Sequence, residues 1–271
     1  MTYFQSIILG IIQGASEFLP ISSSGHLVLA PYLFGWDIPA REAFIFDVLV
    51  QVATLIAVII YFWNDLISIL RSLIKDLLAG QPFREFNSRL GWLLFLSSIP
   101  AGIAAILFKD TLESSFSNPK FAASFLLITS ALLFVGEFTG KRLRTLTSIT
   151  WIDSLIIGLF QVLALFPGIS RSGSTITGGL LRKFDRETAA RYSFLMAVPV
   201  MVAAGVMAGY DLLNSPLLVG NLPVYLAGFV SSAIVGYIAI RWFIAYLSRQ
   251  SLYVFAIYCA VVGLGFLVYL L

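Results

Sequence analysis

Residues 10–27 read GIIQGASEFLPISSSGHL, and residues 158–174 read GLFQVLALFPGISRSGS. Both stretches contain the pattern G-x-x-Q, then a proline, then I-S-x-S-G, and they lie about 148 positions apart. Each pattern predicts a helix that breaks at the proline, because proline interrupts a helix and the serines that follow favour a new helix cap. These two broken segments, residues 3–20 and 152–168, decide the fold.

The composition places the broken segments in a membrane. Of 271 residues, 59% are hydrophobic and 11% are charged, with a mean hydropathy of +0.94, whereas a soluble domain has about 25% charged residues. This excludes a soluble enzyme, a nucleic-acid-binding protein and a secreted disulfide scaffold. The one cysteine, Cys259, cannot form a disulfide or a thiolate metal site within the chain.

Six further stretches are long and apolar enough to cross a membrane, since a hydrocarbon core of about 30 Å needs roughly 20 apolar residues. A shorter amphipathic stretch, residues 66–78, is predicted to lie flat at the interface. We therefore predict an all-α integral membrane protein, a single membrane domain with six transmembrane helices and two re-entrant broken helices. The predicted spans are residues 43–63, 89–108, 121–138, 188–209, 222–247 and 252–271.

Each broken segment is followed by three predicted spans, which divides the chain into halves of about residues 1–145 and 146–271. Three crossings separate the broken segments, so the halves are predicted to form an inverted-topology repeat around a central binding site. The alternative is two proline-kinked spans with serines at helix contacts. The Glu, His and Arg within the motifs argue against it, because packing alone seldom needs charged groups at membrane depth.

The basic residues that flank the spans predict the orientation, because Lys and Arg accumulate on the cytoplasmic side. Both termini and the cavity are then predicted to face outward, with the first broken segment entering from outside and the second from the cytoplasm. The residues on the predicted cytoplasmic side are Arg71, Lys75, Arg84, Arg89, Lys141, Arg142, Arg144, Arg182, Lys183, Arg186 and Arg249. Those on the other side are Arg41, Lys109 and Lys120.

The first motif concentrates polar side chains at membrane depth. Gln13 and Glu17 share a helix face at a spacing of four residues, and an ionised Glu17 there requires a partner or a metal ion. The serines are expected to cap a second half-helix near Ser24 whose N–H groups face an anion. The polar residues of this motif are Gln13, Glu17, Ser22, Ser23, Ser24 and His26.

The second motif places Arg171 among hydroxyl groups at a new helix N-terminus, which predicts a phosphate-binding site by charge and geometry. The alternative is that Arg171 forms an ion pair with Glu17 and has no further role. Asp47 and Gln51 share another helix face and are candidates to line the same cavity. The residues of the second motif are Ser170, Arg171, Ser172, Gly173, Ser174 and Thr175.

The stretch QGASEFLPISSSGH resembles the glutamate-rich motif of the undecaprenyl-diphosphate phosphatase family, the bacitracin-resistance type, and PGISRSGST resembles its arginine-containing motif. The resemblance extends through FDVLVQVATLIAV and ARYSFLMAVPVM, so it covers effectively the whole chain. It implies hydrolysis of undecaprenyl diphosphate to undecaprenyl phosphate and inorganic phosphate in the bacterial cytoplasmic membrane. Mg or Ca ions are implied as cofactors, and Glu17 is a candidate ligand for them. Where many members carry a second glutamate this chain has Gln13, which is expected to bind rather than titrate.

Taken together, the residues and the resemblance predict four catalytic residues: Glu17, Ser23, His26 and Arg171. Ser23 as nucleophile with His26 as base is the favoured arrangement; His26 as the nucleophile, or either residue activating water, remain alternatives. Glu17 would orient His26 or hold the metal ion. The predicted substrate-binding residues are Gln13, Ser22, Ser24, Ser170, Ser172, Gly173 and Thr175.

A transporter is the rival functional class, because inverted repeats around a central anion site also describe carriers, including one that returns a lipid phosphate across the membrane. Ser23 and His26 favour an enzyme, since transport requires no nucleophile and base. The expected partners are undecaprenyl diphosphate, the lipid bilayer and a second copy of the chain in a homodimer; no nucleic acid is expected.

Overall fold

The computed structural model describes residues 1–116, 118–213 and 216–271, and these ranges fold into helices joined by short turns. The predicted all-α fold is confirmed. The helices are α1 (Tyr3–Phe18), α2 (Ser23–Phe34), α3 (Ala40–Tyr61), α4 (Trp63–Leu78), α5 (Phe86–Leu107), α6 (Lys109–Phe116), α7 (Pro119–Thr139), α8 (Trp151–Leu163), α9 (Arg171–Leu181), α10 (Arg186–Leu213), α11 (Pro216–Leu247) and α12 (Tyr253–Tyr269).

Five of the described helices are long and apolar enough to cross a membrane: α3, α5, α7 and the parts of α10 and α11 over Arg186–Met207 and Gly220–Leu247. They coincide with five of the six predicted spans. The sixth, predicted at residues 252–271, forms α12, an apolar helix of 17 residues. Helices of this length and composition are those of a multi-pass membrane protein.

Both predicted helix breaks are present. The first helix of each pair ends before the proline, and the second begins directly after a capping serine. Ser22 Oγ accepts a hydrogen bond from the Gly25 N–H at 3.2 Å, and Ser170 Oγ accepts one from the Gly173 N–H at 3.1 Å. The break at Ser22 also requires a backbone φ of 70°, an uncommon value for a residue with a side chain. Local capping chemistry therefore starts α2 and α9 where the sequence predicts.

Outside the broken segments, two short helices join the apolar ones. The amphipathic stretch predicted at residues 66–78 forms α4, which packs against α5 through buried Ile69, Ser72 and Asp76. The polar helix α6 was not predicted, because its sequence, KDTLESSF, has no apolar face long enough to detect.

The first helix of each half packs against a helix of the other half: α1 lies along α11, and α8 lies along α5. The glycines of the two G-x-x-Q patterns allow this close approach. A Cβ added to Gly10 would lie 2.3 Å from the Gly228 carbonyl oxygen, and one added to Gly158 would lie 2.5 Å from the Ser97 carbonyl oxygen. Since no carbon can approach an oxygen so closely, both positions require glycine.

Matching serines fasten the same two helix pairs. Ser6 Oγ donates a hydrogen bond to the Val224 carbonyl oxygen on α11 at 2.6 Å. Ser154, at the equivalent position of the second half, donates to the Leu93 carbonyl oxygen on α5. Serines at equivalent positions relative to the two motifs thus make the same kind of contact, from α1 to α11 and from α8 to α5.

Each break is held by a helix from the opposite half. In the second break, Thr129 Oγ1 of α7 donates to the Gly168 carbonyl oxygen at 2.8 Å and accepts from the Ser170 N–H at 2.9 Å. In the first break, Cys259 Sγ of α12 donates to the Pro20 carbonyl oxygen at 3.7 Å. Pro20 and Gly168 occupy equivalent positions in the two motifs. The helix α7, which follows the first break, therefore supports the second break, and α12, which follows the second break, supports the first.

Candidate active site

The two helix breaks are in direct contact. A Cβ added to Gly25 would lie 3.0 Å from the Cα of Gly168, and Ser172 Oγ donates a hydrogen bond to the Leu19 carbonyl oxygen at 3.1 Å. The glycines of both motifs therefore let two irregular backbone segments meet, and irregular backbone at membrane depth is tolerated where it is buried in protein or lines a cavity.

Glu17 lies at the centre of this contact, with 7% of its surface exposed. Its Oε1 accepts a hydrogen bond from Nη2 of Arg171 at 2.8 Å. Its Oε2 accepts from Ser23 Oγ at 2.5 Å and from Gln13 Nε2 at 3.0 Å. The buried carboxylate is thus compensated by one cation, one hydroxyl and one amide, as a buried charge requires.

His26 faces away from this carboxylate. Its Nδ1 lies 2.7 Å from the Ser22 carbonyl oxygen and its Nε2 lies 2.8 Å from the Tyr258 hydroxyl. Because a carbonyl oxygen only accepts hydrogen bonds, Nδ1 carries the proton, and in the neutral ring Nε2 accepts from Tyr258. The Tyr258 and His26 rings also stack, with centroids 5.7 Å apart.

The geometry around Ser23 therefore differs from the favoured prediction. Within the described ranges, Ser23 and His26 share no hydrogen bond, and the group that accepts from Ser23 is Glu17. A carboxylate within hydrogen-bond reach of a hydroxyl is the arrangement of a base beside a nucleophile.

A cavity of about 310 Å³ opens beside the two breaks. Its lining contains both polar and apolar residues, as a ligand with a charged head and a hydrocarbon tail requires. Its polar lining residues are Gln13, Ser16, Glu17, Ser22, Ser23, Ser24, Asp47, Gln51, Gln161, Ser170 and Arg171. Its apolar lining residues are Leu27, Ala101, Ala164, Leu165, Ile169, Val200, Met201 and Ala204.

The structure brings most of the predicted site residues to this lining and places four elsewhere. His26 is hydrogen-bonded to the Ser22 carbonyl oxygen and the Tyr258 hydroxyl. Ser172, Gly173 and Thr175 face protein groups: Ser172 bonds across the breaks, the Gly173 N–H bonds the cap, and Thr175 Oγ1 lies 2.6 Å from the Ser193 hydroxyl. These three residues hold α9 in place.

Gln161 lines the cavity but was not among the predicted site residues. The G-x-x-Q pattern contains it, and this is the signal that could have identified it. Tyr258 had no such signal, because it lies in an apolar helix 232 positions from the histidine it contacts.

The cavity offers oxygen ligands of the kind that Mg and Ca ions prefer. The carboxylates of Glu17 and Asp47 and the amide oxygen of Gln51 belong to its lining. Within the described ranges, no group of three or more His, Cys, Asp or Glu side chains could hold a metal ion. The residues therefore fit a divalent cation that takes part of its coordination from a bound ligand, the usual arrangement for Mg, rather than a cation held by protein groups alone.

A second depression, of about 380 Å³, lies beside α4 and contains no residue of either motif. Two of its charged groups are engaged with each other, since Lys75 Nζ lies 2.6 Å from Glu85 Oε1, and Ser72 Oγ donates a hydrogen bond to Glu85 Oε2. These hydrogen bonds, from Lys75 and then Ser72, hold the pKa of Glu85 below its usual value. The chemistry-bearing residues are in the other cavity, which we take as the candidate active site.

Comparison with known proteins shows similarity over nearly the whole chain. The family described as Bacitracin resistance protein BacA matches residues 6–265. Undecaprenyl-diphosphatase of Chlorobium phaeovibrioides is 40% identical over 275 residues, covering 97% of this chain and 95% of the relative. Undecaprenyl-diphosphatase of Moorella thermoacetica is 42% identical over 258 residues, covering 95% and 94%. That of Methanosphaera stadtmanae is 40% identical over 268 residues, covering 96% and 95%.

Proposed function

Because the chain belongs to the Bacitracin resistance protein BacA family, we infer that it is an undecaprenyl-diphosphatase, which hydrolyses undecaprenyl diphosphate to undecaprenyl phosphate and inorganic phosphate. The observation that carries this conclusion is the match over residues 6–265, which includes both proline-containing motifs, residues 10–27 and 158–174, and every residue that lines the cavity. The product is the lipid carrier of cell-wall synthesis, and the protein is a multi-pass membrane hydrolase.

We propose that the chain forms six transmembrane helices and two re-entrant broken helices, with inverted repeats over about residues 1–145 and 146–271. The equivalent contacts of Gly10 and Gly158, and the exchanged support of the two breaks by α12 and α7, support this arrangement. The helix α4 would then lie at the interface.

The protein is proposed to lie in the bacterial cytoplasmic membrane with both termini and the cavity facing outward, since basic residues favour the cytoplasmic side. Single cysteines at Lys120 and Lys141, in a Cys259→Ala background, test this orientation. An impermeant maleimide added to intact cells should label Lys120→Cys, and should label Lys141→Cys only after permeabilisation. The reverse pattern would overturn the orientation. A homodimer remains a prediction.

In the proposed reaction the hydrocarbon tail stays in lipid while the diphosphate enters the cavity. The terminal phosphate competes with Glu17 for the Arg171 guanidinium, which binds phosphate oxygens in a fixed fork. The first N–H groups of α9 add a partial positive charge at the same place. Substrate binding therefore releases the Glu17 carboxylate from its cation and makes it a better acceptor of the Ser23 proton.

Ser23 Oγ then attacks the terminal phosphorus while Glu17 takes its proton. The bond from that phosphorus to the bridging oxygen breaks, undecaprenyl phosphate leaves, and Arg171 stabilises the charge on the transferring group. Water then hydrolyses the phosphoserine and releases inorganic phosphate. When bound, a divalent cation would neutralise further negative charge on the substrate phosphates, and Asp47 and Gln51 of the lining would offer it oxygen ligands while Glu17 takes the proton. His26 positions the turn before Ser23 through the Ser22 carbonyl.

Detergent-purified protein tests the proposal directly. It should release phosphate from a long-chain polyprenyl diphosphate, and EDTA should reduce the rate. Ser23→Ala protein serves as the matched inactive control. Absence of phosphate release from the wild-type protein, together with transport of a lipid phosphate in vesicles, would support the transporter instead.

A further inference from the structure

Gln161 is a buried amide that faces the candidate active site and, within the described ranges, has no hydrogen-bond partner. Its side chain is 2% exposed and belongs to the cavity lining. Neither Nε2 nor Oε1 has a hydrogen-bond partner among the described residues. A buried amide left unpaired is costly, so one that is retained in a cavity wall is expected to bind what enters the cavity.

The equivalent glutamine of the first motif shows what Gln161 lacks. Gln13 Nε2 donates to Glu17, the residue four positions later on the same helix. The residue four positions after Gln161 is Leu165, which offers no acceptor. Both glutamines therefore line the same cavity. Gln13 is hydrogen-bonded to a carboxylate, whereas Gln161 has no hydrogen-bond partner among the described residues.

We propose that Gln161 is a substrate-binding residue whose Nε2 donates a hydrogen bond to a diphosphate oxygen. This inference rests on the proposed function, because it assigns the residue to the substrate of that reaction. An ionised diphosphate offers only acceptors, so the amide binds it through Nε2, while Oε1 accepts from water in the cavity. Gln161 lies on α8, which leads into the break before Ser170 and Arg171, so it adds a neutral donor on the side of the phosphate clamp.

A binding role and a packing role predict opposite effects of Gln161→Leu. If Gln161 serves the substrate, leucine removes an unpaired buried amide, and the free protein should melt at the same or a higher temperature. The KM for a polyprenyl diphosphate should rise about 10- to 100-fold, with a change in kcat of less than about tenfold, because one hydrogen bond to a charged ligand is lost. Gln161→Glu should raise KM further, because it adds a negative charge beside the diphosphate.

The experiment uses the full-length protein in detergent and a methylene-bridged polyprenyl diphosphonate, which cannot be hydrolysed. The analogue should raise the melting temperature of the wild-type protein and of Gln81→Leu, a control in an exposed turn. It should raise that of Gln161→Leu much less. A lower melting temperature for free Gln161→Leu with an unchanged KM and an unchanged response to the analogue would overturn the inference. Gln161→Met, which keeps the side-chain volume, gives the same comparison if the leucine variant does not fold.

The two proposals can fail separately. Wild-type protein that binds the analogue but releases no phosphate would overturn the phosphatase, while loss of analogue binding in Gln161→Leu would still support the binding role. Wild-type protein that hydrolyses the substrate, beside a Gln161→Leu variant with wild-type KM and analogue binding, would overturn only the role of Gln161.

Discussion

Ser23 and Arg171 occupy the same position in the two motifs, the first residue of the helix that follows each break, and they bind opposite oxygens of one carboxylate. Ser23 Oγ lies 2.5 Å from Glu17 Oε2, and Arg171 Nη2 lies 2.8 Å from Glu17 Oε1. One copy of the motif therefore supplies a hydroxyl and the other a cation to a shared acceptor. The two motifs differ at this position, and the difference separates the proposed nucleophile from the proposed phosphate clamp.

Ser23→Ala should lower kcat by about 10³-fold or more while KM barely moves, because the phosphate-binding groups remain when the nucleophile is removed. Steady-state phosphate release measures both constants. If Ser23 only binds phosphate, affinity should fall by about 1–3 kcal/mol and kcat should change less. Full kcat in this variant would contradict the prediction and favour His26 as the nucleophile, which trapping of acid-labile phosphate on His26 would check.

Glu17→Gln and Arg171→Ala should move KM in opposite directions. The first keeps the shape of the side chain, removes the base and releases the guanidinium, so kcat should fall about 10²–10⁴-fold with an equal or lower KM. The second removes the phosphate clamp, so kcat should fall about 10³–10⁵-fold and KM should rise. Arg171→Ala also leaves the buried Glu17 carboxylate without a cation beside it. The melting temperature of Arg171→Ala should therefore fall more than that of Glu17→Gln. Parallel changes in KM would contradict the proposed competition.

His26→Ala should lower kcat by about 10²-fold, because the turn before Ser23 loses the hydrogen bond to its Ser22 carbonyl. Tyr258→Phe should cost less than about tenfold, since the bond between His26 and Ser22 remains. The double variant should match His26→Ala alone if Tyr258 acts only through the histidine. Independent, additive losses would argue against that coupling, and a loss in His26→Ala as large as in Ser23→Ala would favour His26 as the base.

Gly158→Ala should reduce the free energy of unfolding by about 1–3 kcal/mol, because the new Cβ would overlap the Ser97 carbonyl oxygen and push α8 away from α5. Gly102→Ala is the matched control: it lies on α5, and a Cβ there would meet no atom within 4 Å. That substitution should be neutral or stabilising by about 0.5–1 kcal/mol, as alanine is the better helix former. Thermal unfolding in detergent compares the two, and equal melting temperatures would contradict the close approach.

The parts of the fold that depend on residues close together in the sequence could be predicted from it. A proline followed by a capping serine acts locally, so the start of α2 at Ser23 lies within one residue of the prediction. The long apolar helices follow from composition in the same way. The helix α6 could not be predicted, because neither its length nor its polarity differs from that of a loop.

The side-chain arrangement depends on packing between the halves and could be predicted only in part. Glu17 and Arg171 lie 154 positions apart, so their contact could be stated only as an alternative. Ser23 and His26 are close in sequence, which suggests a hydrogen-bonded pair. In the structure, however, the His26 ring is hydrogen-bonded to Tyr258 of α12 instead. Gln161 could not be singled out from its own motif, because the residue four positions later is Leu165, which cannot accept a hydrogen bond through its side chain. The difference is visible only when this position is compared with Glu17 of the first motif.

The support of the first break by α12 bears on how the protein is made. Cys259 reaches back 239 positions to the Pro20 carbonyl, and Tyr258 reaches back to His26. A ribosome adding about 5–20 residues per second needs on the order of 10 s or more to synthesise that interval. A nascent chain that already contains Glu17 and Ser23 therefore still lacks the helix that contacts the turn between them. The turn before Ser23 can therefore gain its contacts with Cys259 and Tyr258 only after α12 has been synthesised.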